Sequence, residues 1–210
     1  MNGLESYYPD VFVSIPNSSL FNDSLEPDQS PATGKVVWLY GPSGAGKTTL
    51  SRALSADLKA VGINAFILDG DCLRAGLCRD LGFSADDRAE NIRRAAEVAR
   101  LVSVTGQWVV AAFITPLRVH RESVRSIVGD SVLIEAFVNC PIYVCEERDP
   151  KGLYKRFRNG DIAGMIGLDS IFESPVSPEI EVRTDECSVQ VARQMLLKKV
   201  LERADDRNQN

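Results

Sequence analysis

The chain has 210 residues, enough to bury a sizeable core as one domain. Hydrophobic residues make up 44% and charged residues 25%, an ordinary globular balance, and no apolar run reaches the roughly 18 residues of a membrane span. The net charge of −5 argues against general nucleic-acid binding, which needs a basic surface.

Residues 1–33 read as an N-terminal arm, with Pro9, Pro16, Pro27 and Pro31 among many Ser, Asn and Asp residues. YYPDVFVSI could dock on the domain or on a partner subunit, but a partly ordered tail is the simpler reading. The opening MNGLESYYPDVFV lacks a basic start and a long apolar core, so it does not read as a secretory leader. Cys72, Cys78, Cys140, Cys145 and Cys187 are odd in number and form no C-x-x-C, as expected of reduced thiols in a cytoplasmic protein. The folded domain is expected over 34–203, followed by a polar tail at 204–210.

The first strand–helix pair carries the strongest motif. Val36–Tyr40 is a buried-strand run, and Gly41-Pro42-Ser43-Gly44-Ala45-Gly46-Lys47-Thr48 follows it, with Thr49 next. This is the phosphate-loop pattern G-x-x-x-x-G-K-[ST]. Its glycines let backbone N–H groups approach a polyphosphate. Lys47 adds a cation for the outer phosphates, and the Thr48 hydroxyl suits a magnesium ion. The helix expected at 47–60 aims its positive end at the same anion.

Further strands are expected at Ala65–Leu68, Trp108–Ile114, Val132–Val138 and Ile180–Val182. Helices are expected near 85–104, 118–128, 145–159 and 188–203. The first four strands are nearly continuous apolar runs, as where both sheet faces are covered. The alternation predicts an α/β fold, a parallel sheet flanked by helices, with ligands at the strands' carboxyl ends.

Those ends carry the candidate chemistry. Ile67-Leu68-Asp69-Gly70-Asp71 closes the second strand. Asp71 could orient or deprotonate an attacking hydroxyl, and Asp69 could hold magnesium through water, although either could instead cap a helix. Arg74 comes next. Ser84 is an expected N-cap, ahead of a helix bearing Arg88, Asn91 and Arg94 on one face, either an anion-binding stripe or a solvated one. Thr115 ends the third strand and precedes Pro116, with Arg118 and Arg121 beyond. The basic stretch Glu147–Arg158, followed by Gly160, Gly164 and Gly167, suits a lid that closes over a nucleotide. His120, the one histidine, is expected at the surface, and no zinc site is expected.

Taken together, GPSGAGKTTLSRAL, LDGDCLRAGLCRDLGFSADDRAENIRRAAEVA, FITPLR, EERDPKGLYKRFRNGDI and IGLDSIFESP resemble the adenylyl-sulfate kinase family. The resemblance runs from about Gly34 to Thr184. It implies a P-loop NTPase-type kinase domain with a mobile lid, and ATP-dependent phosphorylation of the ribose 3′-hydroxyl of adenylyl sulfate with Mg2+. It implies that Lys47, Asp69, Asp71 and Thr115 serve catalysis, and that Arg148 lies near the ATP adenine. Arg74, Arg88 and Asn91 would bind the phosphosulfate and its nucleotide, and Phe83 would stack on the acceptor adenine. Ile114 and Thr115 would line the pocket, Lys151 and Leu153 would belong to the lid, and Met165 would face Phe83. A homodimer and an ATP sulfurylase partner are further implications.

Three departures stand out. Thr115 replaces the serine usual in FISP, a serine labelled a phosphorylated intermediate by family analogy; direct transfer needs no such step. Met165 stands where FTGID has phenylalanine, and Ile171 and Phe172 replace the proline and tyrosine of DSPYE. These changes leave open a same-fold kinase for another small anionic nucleotide or sugar. A nucleotide-binding module without catalysis is the other alternative.

Overall fold

A computed structural model describes residues 33–206. Residues 1–32 of the expected N-terminal arm and residues 207–210 of the expected tail lie outside the described residues.

Twelve elements alternate along the chain: β1 Val36–Tyr40, α1 Lys47–Ala60, β2 Ala65–Asp69, α2 Gly70–Ala75, α3 Ala85–Ser103, β3 Trp108–Phe113, α4 Arg118–Val128, β4 Leu133–Asn139, α5 Ile142–Arg148, α6 Leu153–Arg158, β5 Ile180–Arg183 and α7 Val189–Asp206. The sheet order is β2-β3-β1-β4-β5, and every pairing is parallel. Tyr40 at the end of β1 stands level with Phe113 of β3 and Phe137 of β4. All strands therefore finish on one edge, where loops gather.

Strand alternation divides the core. Val37 and Leu39 of β1 join Leu50, Leu54 and Leu58 of α1 and Leu196 and Val200 of α7. Val36, Trp38 and Tyr40 face the other way, with Ile92, Ala95, Ala96 and Ala99 of α3 and Val124 of α4. The small alanines let α3 lie close to the sheet. Each fully buried leucine of α1 contributes roughly 1.5–3 kcal/mol over its exposed state.

Four expectations change. β2 has an apolar sequence but is an edge strand, so Phe66 and Ile67 are 43% and 37% exposed. The helix expected at 145–159 is two helices. Asp149 precedes Pro150, which disfavours α geometry, and takes φ 23°, while Gly152 takes φ 65°. The Asp149 carboxylate then accepts from the N–H groups of Tyr154 and Lys155 at 3.1 and 3.0 Å, starting α6 anew. His120 is 8% exposed rather than at the surface, because it shares the inward face of α4 with Arg121, Val124 and Val128. Finally, α7 continues past 203 to Asp206. The cysteines are all free thiols, with Cys78, Cys140 and Cys145 buried.

Candidate active site

The phosphate loop leaves β1 and turns into α1 through Gly46, the helix N-cap at φ 99°. Gly44, at φ 81°, lies so close to Cys145 that an added Cβ would sit 2.7 Å from its carbonyl oxygen. Only glycine suits both the conformation and the space. Side chains far along the chain fix the loop from behind. The Tyr154 hydroxyl donates to the Ser43 carbonyl at 2.9 Å. The Thr184 hydroxyl donates to the Ala45 carbonyl at 2.9 Å. Arg148 donates to the Thr184 carbonyl at 2.7 Å, to its hydroxyl at 3.2 Å and to the Cys140 sulfur at 3.4 Å. Burial and neighbouring Cys140 push the Cys145 thiol up to about 12, so it is a packing group rather than a nucleophile.

Lys47 donates to the Pro42 carbonyl at 2.7 Å. Burial, and then the charge of Lys151, push its ammonium down to about 8, while Cys145, Asp69 and Asp71 act in the opposite sense. One ammonium thus feels Lys151 and both strand-end carboxylates. Asp69 serves two partners. Its Oδ2 accepts from the Thr48 hydroxyl at 2.9 Å, and its Oδ1 accepts from the Asp71 N–H at 2.9 Å, capping α2. The sequence set helix cap against magnesium ligand for this residue; the cap uses one oxygen and leaves the other paired with Thr48. That hydroxyl–carboxylate pair is the hard oxygen set magnesium takes, so the residues fit the ion.

The residues expected to meet the acceptor come together in the open. The Asp71 carboxylate pairs with the Lys151 ammonium, and both are well exposed. Phe83 is 69% exposed. The Arg74 guanidinium lies 4.5 Å over its ring and donates to the Gly82 carbonyl at 2.8 Å. Arg88 ties the expected lid segment to this patch, donating to the Phe83 carbonyl at 2.8 Å and to the Gly164 carbonyl at 2.6 Å. Burial, and then Arg74, lower its pKa. Asn91 is buried on the same helix, and its amide nitrogen has no partner among the described residues. A cleft of about 490 Å³ opens beside Pro42, between Phe137, Ile142, Leu168 and Phe172.

Not every candidate converges. Thr115 is 1% exposed, and its hydroxyl accepts from the Trp38 indole N–H at 2.9 Å. The side chain is turned into the protein, which does not suit a phosphorylated intermediate. Its φ of 42° is strained for a β-branched residue, by roughly 1–3 kcal/mol. Ile114, beside it, is partly buried. Met165 is 7% exposed and belongs to the core, so it is a packing residue here rather than an open wall facing Phe83. Leu153 also packs against that core. Arg94 is committed elsewhere, bidentate to Asp80 at 2.7 and 2.8 Å and bonded to Glu90 at 2.9 Å. It is structural, and the expected stripe reduces to Arg88 and Asn91.

Sequence reading missed the supports of the loop. Tyr154 lies in the DPKGLY string, and Thr184 follows a strand's carboxyl end, as Asp69 and Thr115 do. The same position rule applied to β5 would have found Thr184.

A phosphate loop on a parallel sheet, with carboxylates and cations gathered at its carboxyl edge, defines a nucleotide-dependent kinase fold. The family model for adenylylsulphate kinase matches residues 33–183. The chain is similar to an adenylyl-sulfate kinase of Yersinia pestis, 47% identical over 78% of this chain and 76% of that one. It is 50% identical to one from Shewanella amazonensis over 73% and 77%. The Mycobacterium tuberculosis APS kinase, solved with AMPPNP and APS, superimposes with a TM-score of 0.78 at 40% identity, covering 81% of this chain and 99% of that chain. This chain belongs to the adenylyl-sulfate kinase family.

Proposed function

We propose that this protein phosphorylates the ribose 3′-hydroxyl of adenylyl sulfate with ATP, giving 3′-phosphoadenylyl sulfate and ADP. The observation that carries the reading is the chain of contacts from the phosphate loop outward: Thr48 bonds Asp69, Asp69 caps the N–H of Asp71, and the Asp71 carboxylate pairs with Lys151. The relatives that match over most of the chain support the substrate.

The phosphate-loop N–H groups and Lys47 would hold the ATP phosphates. Arg148 and Thr184 would border its base. Thr48 and Asp69 would hold Mg2+, which neutralises charge on the outer phosphates when bound. Arg74 and Arg88 would meet the phosphosulfate of the acceptor, and Phe83 its adenine. Asp71 would take the proton of the 3′-hydroxyl as its oxygen bonds to the γ-phosphorus. The bond from that phosphorus to the bridging oxygen of ADP breaks in the same step. Thr115, turned toward Trp38, takes no part as a nucleophile. The segment from Lys151 to Phe172 would act as the lid, excluding water.

Among the described residues no helix is long and apolar enough to cross a membrane. A cytoplasmic location, a homodimer and an ATP sulfurylase partner belong to the same proposal, on the family resemblance.

ADP release from ATP and magnesium tests the reading. Strong stimulation by adenylyl sulfate, and none by AMP, is expected. Equal rates with both, or no stimulation while ATP still binds, would remove adenylyl sulfate as the acceptor.

A further inference from the structure

Among the described residues Arg121 gives its hydrogen bonds to carbonyls and none to a carboxylate, yet it is only 7% exposed. It leaves α4 beneath the corner that ends β3. Its Nη1 donates to the carbonyls of Thr115 at 3.1 Å and Pro116 at 3.3 Å. Its Nη2 donates to the Glu173 carbonyl at 2.9 Å. Its guanidinium lies 5.2 Å over the ring of Tyr40, the last residue of β1. Carbonyls and an aromatic face take up this planar cation, with the Glu135 carboxylate near enough to feel its charge; a lysine could not span the same partners from one plane.

Each partner of Arg121 is tied to something else. Glu173 follows the lid directly. Its N–H donates to the Pro116 carbonyl at 2.9 Å, and its carboxylate accepts from the Arg118 N–H at 2.5 Å, at the start of α4. The corner is joined to the phosphate loop, because the Gly41 N–H donates to the Ile114 carbonyl at 3.2 Å. Trp38 holds the Thr115 hydroxyl. One guanidinium therefore links the lid's trailing foot, the strand corner and the root of the phosphate loop. The lid's leading end is fixed separately, at Asp149 and Gly152.

We infer that Arg121 is a positioning residue for phosphoryl transfer: it pins the lid's foot at Glu173 to the Ile114–Pro116 corner, so that the lid meets the acceptor in one register. The inference rests on the reading of the chain as an adenylyl-sulfate kinase. It assigns Arg121 to the acceptor side, because the supports of the nucleotide side (Tyr154, Thr184 and Arg148) touch neither the corner nor Glu173 in any of their hydrogen bonds.

The test is steady-state kinetics of Arg121→Met and Arg121→Lys, with amide hydrogen exchange over 159–173. Arg121→Met should raise KM for adenylyl sulfate at least roughly tenfold and leave KM for ATP within about twofold, because misplacement at one side of a bimolecular site falls on that substrate. ATP hydrolysis without acceptor should rise relative to transfer, as a loosened lid admits water. Arg121→Lys should recover only part of the loss. Lid amides should exchange faster in Arg121→Met. Glu173→Ala loosens the same foot from its exposed side and should give the same KM split, and it carries the test if Arg121→Met does not fold. Equal changes in both KM values, a fall in kcat alone, or full recovery with lysine would overturn the inference. So would unchanged lid exchange, a readout that needs no acceptor. Absence of acceptor-dependent turnover in the unmutated protein would instead overturn the reading of its function.

Discussion

Around the phosphate loop, the supports reach in from behind and hold carbonyls: Tyr154 on Ser43, Thr184 on Ala45, and Cys145 packed under Gly44. The residues proposed to meet the acceptor lie open and hold one another: Asp71 with Lys151, Arg74 over Phe83, and Arg88 on the Gly164 carbonyl of the proposed lid. The first region is set before any ligand arrives. The second, on the proposed function, is a group of contacts that the substrate would replace with its own. Fixed donors suit the nucleotide, whose developing charge needs preorganised stabilisation. Replaceable contacts suit an acceptor that must be enclosed and then released.

The largest test of that contrast is Lys47→Ala. It removes the preset cation and should lower turnover roughly 10²–10³-fold, measured as ADP release at saturating substrates. Near-normal turnover would break the nucleotide half of the comparison.

The pH dependence of ATP binding should be next in size. Burial pushes the Lys47 ammonium of the free protein down to about 8. Bound polyphosphate favours its charged form and raises that pKa. Binding above pH 8 then takes up a proton, so KM for ATP should climb with pH, by up to about tenfold per unit. Lys47→Arg should flatten the climb, because a guanidinium stays charged. A constant KM for ATP from pH 7 to about 9.5 would contradict the assignment.

Tyr154→Phe removes one support from the loop and should raise KM for ATP by up to roughly tenfold, the worth of about 0.5–1.5 kcal/mol for one hydrogen bond. KM for adenylyl sulfate should stay put. A rise on the acceptor side instead would blur the two regions.

The smallest effect is expected at Arg94→Ala. Its pairs with Asp80 and Glu90 are solvent-exposed and screened, so stability should fall only slightly in chemical denaturation, with neither KM moved. A raised KM for adenylyl sulfate would return Arg94 to the acceptor site.

The same contrast explains what was legible in the sequence. The phosphate loop imposes its chemistry on composition, because glycine conformations and a lysine–threonine pair follow in strict order. Asp69 and Asp71 were legible because strand ends point to the cleft. Thr115 obeys that position rule, but its hydroxyl is captured by Trp38, 77 residues away, and a one-dimensional rule carries no such partner. Tyr154, Thr184 and Arg121 act through carbonyls distant in sequence, and carbonyls leave no residue pattern. The edge position of β2 depends on strand order, which apolar runs do not state. The break between α5 and α6 was readable at Asp149-Pro150, where proline restricts the residue before it.

The most direct measurement is to follow labelled γ-phosphate from ATP through one turnover with adenylyl sulfate, resolving protein and nucleotide and locating the new phosphoryl group by phosphorus NMR. The account predicts all transferred label on the ribose 3′-oxygen and none on the protein. Label on Thr115, on water, or at another position of the acceptor would contradict it.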